Sequence, residues 1–385
     1  MVKSLLDTDI YKVYMSQMVY FHFRDWKVKY KFINRGGSVF PTNFDNVLWQ
    51  ELVGLNLLCL SNNEEKWLRK QPGIYPEFVD WFKKYSFDLS ELVMTTDDKG
   101  GLEIDIEGDW LRTIFWEVPL LATISELYYK EEGCLCENAV LIEHLLKKKD
   151  LMKFPVVDFG TRRRFSSEVH EKVIRMMMVR PFKEDKTGNN PYFIGTSNPF
   201  MAMRYSLPVI GTYAHEAVMA MQVGSLKTSN YHWYSLWRQL YGKLNSVALS
   251  DTLTTDYFFK TMPALELRLM DGIRQDSGNP ILIAHRIVGE WKKLGINPKD
   301  KKIIFSDNLN AETALNIYNV FKDITNCVFG IGTNLTNDCG YKHLNMVIKL
   351  DEVNGKKVVK LSDDIGKYTG DQKRLEEVLE EVKNG

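Results

Sequence analysis

A recurrence in the middle of the chain constrains its fold more than any other feature. From about residue 154 to 335, short apolar runs return, each ending in small or polar residues. They are Val156-Val157 before Asp158, 192–194 before Gly195, Val209-Ile210 before Gly211 and 247–249 before Ser250-Asp251. Then come 267–273 before Arg274, 303–305 before Ser306-Asp307, and Val328-Phe329 before Gly330. Runs this short and apolar suit strands buried on both faces. Helical patterns lie between several of them. Residues 280–295 open with Pro280 and close with Gly295, as a helix does. Residues 310–324 start on Asn310, a good N-cap. Strands alternating with helices imply parallel βα units. Seven such strands favour a (β/α) barrel over an open doubly wound sheet.

The two ends of the chain read differently. Val28, Tyr30 and Phe32 are spaced by Lys29 and Lys31, and Leu102, Ile104 and Ile106 alternate with Glu103, Asp105 and Glu107. Near the C-terminus, MVIKLDEV and KKVVKL flank Asn354-Gly355, a pair suited to the positive φ values of a type I′ hairpin. Strands wet on one face suit an antiparallel sheet. Because they come from both termini, we expect an outer α+β domain from residues 1–136 plus 341–385, and the α/β barrel in 137–340.

A chain of 385 residues suits two domains. Fifty basic against fifty acidic side chains leave no net charge. That balance argues against a nucleic-acid partner, whose phosphates need a basic excess, and against a polybasic membrane surface. No stretch approaches the roughly 18 apolar residues that span a bilayer. The opening MVKSLLDTDIYK puts two aspartates where a secretory signal needs an apolar core. Cys59, Cys134, Cys136, Cys327 and Cys339 are odd in number and scattered. Cys134 and Cys136 are too close for an easy disulfide and lack a second pair for zinc. The expectation is a reduced, cytoplasmic protein.

In a βα barrel, chemistry sits on loops at the C-terminal ends of the strands. These ends offer Asp158 and Arg162; Thr196, Ser197 and Asn198; Thr212 and His215; Asp251; Arg274 and Asp276; Ser306 and Asp307; Gly330, Gly332 and Thr333. Singly, an Asp or Gly there is an ordinary turn or cap; seven consecutive ends so equipped suggest a site. Residues 329–334 present two glycines and a threonine whose backbone N–H groups suit an anion. Arg162, Arg163 and Arg164 follow a buried strand, where they can meet anionic groups. His215, past a strand and among candidate phosphate binders, suits a base, a ligand or a phosphoryl acceptor. The other six histidines are read as structural.

With these residues in place, the chain resembles the nicotinate phosphoribosyltransferases, type II phosphoribosyltransferases. The carrying segments are LLDTDIYKVYMSQ (5–17), VKYKFINR (28–35), VVDFGTRRRFS (156–166), FIGTSN (193–198), VIGTYAHEA (209–217), IRQDSGNP (273–280), IIFSDNLN (303–310) and FGIGTNLTND (329–338). The resemblance implies an irregular α/β barrel with a second domain from both termini. It implies a homodimer whose active site is shared between subunits. It also implies a reaction joining nicotinate to 5-phosphoribosyl 1-pyrophosphate, coupled to ATP hydrolysis, in NAD salvage. By the same resemblance, Phe159 and Tyr11 stack on the pyridine, Tyr11 reaching in from the partner subunit. Arg162 with Thr196, Ser197 and Asn198 holds the substrate end. Arg274 and Asp276 meet the ribose and pyrophosphate; Ser306, Asp307, Gly330, Gly332 and Thr333 form the 5-phosphate region. His215 matches the histidine that ATP phosphorylates, and Asp251 an acid beside it. Mg²⁺ is expected to neutralise the phosphorylated substrates, with no ligands assigned.

Two alternatives stay open. A nicotinamide phosphoribosyltransferase carries an aspartate where this chain has Ser197, and that aspartate would repel the carboxylate of nicotinate, to which a serine can donate. A non-catalytic ligand-binding barrel would have lost His215, Arg162 or Asp276, and all three are present.

Overall fold

The computed structural model describes residues 1–179, 190–244 and 246–384. Its strands, in chain order, are β1 (Lys27–Asn34), β2 (Leu92–Thr96), β3 (Leu102–Asp109), β4 (Val156–Asp158), β5 (Phe193–Thr196), β6 (Val247–Leu249), β7 (Gly272–Gln275), β8 (Lys302–Phe305), β9 (Asn326–Ile331), β10 (Met346–Val353) and β11 (Lys356–Lys357).

Alternating patterns become a sheet that joins the two ends of the chain. β11-β10-β1-β3-β2 is its order, with every neighbour antiparallel. Leu102, Ile104 and Ile106 are buried while Glu103, Asp105 and Glu107 are exposed, so β3 keeps the period of its sequence. Asn354 and Gly355 both have positive φ, 47° and 78°, as a type I′ turn needs. β11 ends at Lys357, sooner than the KKVVKL pattern suggests. Beyond it the backbone turns to the barrel, where Leu361 N–H donates to the Thr252 carbonyl at 2.9 Å. There Val359, Leu361, Leu375 and Val378 pack with Leu226, Leu253 and Tyr257 in a small apolar cluster. The helix Gln372–Asn384 thus docks on the barrel rather than on the outer sheet.

The apolar runs become a parallel sheet of order β5-β4-β9-β8-β7-β6. Two of the seven expected strands change. Val209 makes only an isolated parallel bridge to Thr196. Residues 267–273 divide between the helix Ala264–Leu269 and β7. Among the described residues no ladder joins β6 to the Val209 segment; the Tyr213 hydroxyl accepts from Leu249 N–H at 3.2 Å across that opening. The barrel is therefore irregular, and the α/β class stands. Helices Pro280–Lys293 and Ala311–Phe321 form where expected, their first turns capped by the side chains of Asn279 and Asn310.

One apolar core runs through both sheets and fully buries Trp110, Trp116, Trp233, Trp237 and Trp291. The helix Ile10–His22 lies inside it, buried from Ile10 to Val19. Ile10 N–H donates to the Ser197 carbonyl at 2.7 Å. Gly211 admits this close approach, since a Cβ there would lie 2.5 Å from Ile10 Cγ2.

Cys136 and Cys339 form a disulfide, which corrects the expectation of a wholly reduced chain. The partners are 203 residues apart, so only the tertiary fold brings them together. Cys59, Cys134 and Cys327 are free thiols. No helix among the described residues is long and apolar enough to cross a membrane.

Candidate functional site

The C-terminal ends of the parallel strands face β10 of the outer sheet across a cavity of about 660 Å³. Of the residues singled out in the sequence, Tyr11, Phe159, Arg162, Arg163, Ser197, Thr212, His215, Arg274, Asp276, Ser306, Asp307, Gly330, Gly332 and Thr333 line it. Thr196, Asn198 and Asp251 sit behind them, fully buried. Thr196 Oγ1 donates to Asp158 at 2.6 Å and accepts from Asn198 N–H at 3.0 Å. Asn198 caps the helix Pro199–Tyr205 and donates to Asp7 at 2.8 Å. Both side chains hold loops in shape and are spent in doing so.

One end of the cavity is aromatic and cationic. The Phe159 ring lies against Gly330, where a Cβ would come 2.2 Å from Phe159 Cδ2. Gly330 lies within β9, not in the loop after it, so its lack of a side chain serves the ring rather than an anion. Tyr11 lines the cavity of its own chain. Arg162 Nη1 donates to Glu117 at 3.1 Å, and Arg162 Nε lies 3.7 Å from Asp9. Ser197 Oγ donates to Asp9 at 2.6 Å. The hydroxyl read as a donor to a ligand carboxylate is thus engaged, and Asp9 stands in the wall beside it. Burial raises the Asp9 pKa, against the pull of Arg162 and the Ser197 hydrogen bond.

The arginine triplet divides. Arg162 and Arg163 face the cavity. Arg164 turns inward, fully buried, and donates to both carboxylate oxygens of Asp7 at 2.7 and 2.9 Å. Burial disfavours charge on Asp7, yet Arg164 and Asn198 hold its pKa down at about 2.

The other end is built around His215. Its Nδ1 lies 3.0 Å from Thr252 Oγ1, and its Nε2 lies 3.1 Å from Asp276 Oδ2 and 3.9 Å from Asp251 Oδ1. Burial, with Lys360 nearby, pulls the imidazole pKa to about 4 against Asp251 and Asp276. At neutral pH the ring is uncharged and keeps a lone pair, as a phosphoryl acceptor must. Asp251 accepts from Ser277 Oγ at 2.5 Å. Asp276 accepts from Ser306 Oγ at 2.6 Å and lies 3.2 Å from Arg274 Nη2. Burial opposes its charge, but Arg274 and His215 keep its pKa well below the ordinary carboxylate range. Arg274 Nη1 is fixed by Thr212 Oγ1 at 3.0 Å and the Tyr213 carbonyl at 3.1 Å. Asp307 pairs with Lys367.

Sequence reasoning missed four cations in the wall, Arg35, Lys349, Lys360 and Lys367. Lys349 sits at a polar position of an alternating strand, a pattern that reads as solvent-facing. Here that face looks into the cavity. Burial and the neighbouring Lys360 push the Lys349 pKa down to about 7, against Glu117. Among the described residues no group of three or more His, Cys, Asp or Glu is arranged to hold a metal ion. Asp276 and Asp307 do face the cavity. That set fits Mg²⁺ held mainly by phosphate oxygens with one or two carboxylates.

Comparison with known proteins covers nearly the whole chain. Residues 154–385 match the nicotinate phosphoribosyltransferase (NAPRTase) family, and residues 6–125 its N-terminal domain. A curated nicotinate phosphoribosyltransferase of Desulforapulum autotrophicum is 39% identical over 100% of both chains. One from an Enterobacter species is 37% identical over 94% of this chain and 91% of its own. The crystal structure of nicotinate phosphoribosyltransferase from Porphyromonas gingivalis superposes with a TM-score of 0.94 at 31% identity, covering 100% of each chain. That of a putative nicotinate phosphoribosyltransferase from Saccharomyces cerevisiae gives 0.93 at 31% identity, covering 100% of this chain and 99% of the other.

Proposed function

The chain belongs to the nicotinate phosphoribosyltransferase family, and we propose that it joins nicotinate to 5-phosphoribosyl 1-pyrophosphate, driven by ATP through a phosphohistidine at His215. The observation that carries this reading is the cavity itself. It holds an aromatic wall and Arg162 at one end, and an uncharged His215 among Asp276, Arg274 and Ser306 at the other.

The pyridine nitrogen attacks ribose C1; the new N–C bond forms as the C–O bond to pyrophosphate breaks, and the products are nicotinate mononucleotide and pyrophosphate. Positive charge grows on the sugar and negative charge on the leaving group. The protein's part is positioning and charge stabilisation. Phe159 and Tyr11 bracket the ring. The carboxylate of nicotinate meets Arg162, since Ser197 is engaged with Asp9. Asp276, fixed by Arg274 and Ser306, faces the developing charge at the ribose. Arg35, Arg163, Lys349 and Lys360 take the pyrophosphate and ATP phosphates. Asp276 and Asp307 would hold Mg²⁺ brought in with the phosphates, and it would supply charge neutralisation there.

The His215 imidazole takes the γ-phosphoryl group of ATP on a ring nitrogen free of its proton, the N–P bond forming as the P–O bond to the departing ADP breaks. Hydrolysis of the P–N bond later returns phosphate. The place in metabolism that follows is salvage of the free base into NAD. The homodimer that the resemblance implies is retained, with its active site shared between subunits.

The test compares nicotinate mononucleotide formation with and without ATP in wild type and His215→Ala. The variant is expected to lose ATP stimulation and ATP hydrolysis while keeping some ATP-independent synthesis. A variant that answers to ATP like wild type refutes the assignment of His215.

A further inference from the structure

The cavity's two ends are joined inside the protein by a line of charges. Arg162 Nη1 donates to Glu117 Oε1 at 3.1 Å. The other oxygen of Glu117 lies 2.7 Å from Lys12 Nζ. Lys12 in turn donates to Glu216 Oε2 at 2.6 Å. Glu216 follows His215 in the first turn of the helix His215–Met221. Lys12 is fully buried, and its two carboxylate partners are nearly so. One cation therefore serves two carboxylates equally, and four formal charges cancel over the line.

A buried line like this is expensive in solvation, and packed apolar residues would stabilise a fold as well or better. Its ends are informative: one is the cation that meets the substrate carboxylate, the other adjoins the histidine that meets ATP. The Glu216 Oε1 atom is buried without a hydrogen bond. Glu216 is held through Lys12, with the buried Tyr30 hydroxyl and Lys349 also acting on it. Burial raises its pKa against the pull of Lys12, while Lys12 and Arg162 draw Glu117 down against its own burial. The two carboxylates share one cation, and Glu117 has Arg162 as a second.

We propose that Glu216, Lys12 and Glu117 form a positioning relay through which the state of His215 sets the grip of Glu117 on Arg162, and so the affinity for the nicotinate carboxylate. The inference rests on the proposed phosphohistidine. A phosphoryl group carries about 1.5 to 2 negative charges. Placed on the His215 ring, it raises the cost of a charged, buried Glu216 one residue away. Glu216 then gives up its share of Lys12, either by taking a proton or by turning aside. Lys12 leans wholly on Glu117, and Glu117 releases part of its hold on Arg162. The guanidinium becomes free for the incoming carboxylate. None of the three relay residues needs to touch a reacting atom.

Glu216→Gln removes the charge with little change in shape and mimics the relaxed relay. The experiment measures KM and kcat for nicotinate, with and without ATP, in wild type, Glu216→Gln and Glu216→Asp, alongside acid-labile phosphorylation of each protein from γ-labelled ATP. In wild type, ATP is expected to lower KM for nicotinate about tenfold. In Glu216→Gln, KM without ATP is expected to fall to within about threefold of the wild-type value with ATP, and ATP no longer to change it. Label still enters His215, so ATP is hydrolysed without improving binding. Glu216→Asp, which keeps the charge, restores the ATP response and guards against loss of the fold. A merely structural Glu216 would change kcat or stability but leave the ratio of KM with and without ATP as in wild type; that unchanged ratio overturns the relay. Absence of label and of any ATP effect in wild type overturns the phosphohistidine reading and the relay with it.

Discussion

Arg162, Arg163 and Arg164 are the same residue type in consecutive positions, and the structure gives them opposite work. Which of the three points inward depends on the turn after β4, and no pattern in the sequence encodes that turn. Arg164 satisfies a buried carboxylate with two hydrogen bonds. Removing one partner of such a pair leaves a buried charge and costs about 3–5 kcal/mol. Arg163 stands among like charges instead: burial, Arg162 and Arg35 pull its pKa down to about 10. Its removal relieves repulsion. Arg164→Ala is therefore expected to lower the free energy of unfolding in urea by about that amount, while Arg163→Ala leaves the urea midpoint at or above wild type. The second variant should instead raise KM for 5-phosphoribosyl 1-pyrophosphate about tenfold. Equal loss of stability in both would show that the division is wrong. The same scale explains Ser197 and Gly330. The residue types were legible as site residues, but their partners, Asp9 and the Phe159 ring, come from elsewhere in the chain.

Elements with a clean period were legible, and elements defined by partners were not. β3, the Asn354-Gly355 hairpin and the helices capped by Asn279 and Asn310 follow from spacing and end residues alone. The Val209 run is as apolar as a strand but lies at the opening of the barrel, where only Thr196 pairs with it. The Cys136–Cys339 link is likewise a product of topology. It fastens the segment after β9, which also holds Asp338 against Lys148 and the Tyr341 hydroxyl against the Leu135 backbone. That segment leads into Asn345 and β10, part of the cavity wall. Closing so long a loop stabilises a fold by about 2–4 kcal/mol. The double variant Cys136→Ser/Cys339→Ser is expected to unfold at lower urea by that difference, and reductant should bring wild type to the same midpoint while leaving the variant unmoved. A wild-type midpoint indifferent to reductant would exclude the bond in solution.

At the scale of the molecule, zero net charge hides a strongly uneven distribution. Seven cations, Arg35, Arg162, Arg163, Arg274, Lys349, Lys360 and Lys367, converge on one cavity whose lower wall is the barrel and whose upper wall is the outer sheet. The barrel half was legible because strand ends carry chemistry by rule; the sheet half was not, because Lys349 obeys an alternation that ordinarily means solvent. Crowding these cations has a consequence for pH. Burial and Lys360 lower the Lys349 pKa from an ordinary 10.5 to about 7. Between those values the unfolded chain binds a proton that the empty folded protein does not, so this group makes the empty fold relatively more stable as pH rises through the window. A bound pyrophosphate reverses the balance, since an anion favours the charged amine. Binding at about pH 8 must then take up protons, and affinity must fall as pH rises from about 7 toward 10. Calorimetry of pyrophosphate binding in buffers of different ionisation enthalpy measures the uptake directly. Wild type is expected to take up close to one proton more than Lys349→Met, a comparison in which the titration of pyrophosphate itself cancels. Equal uptake by the two proteins would mean that Lys349 is already charged in the empty cavity, and that the other cations do not crowd it.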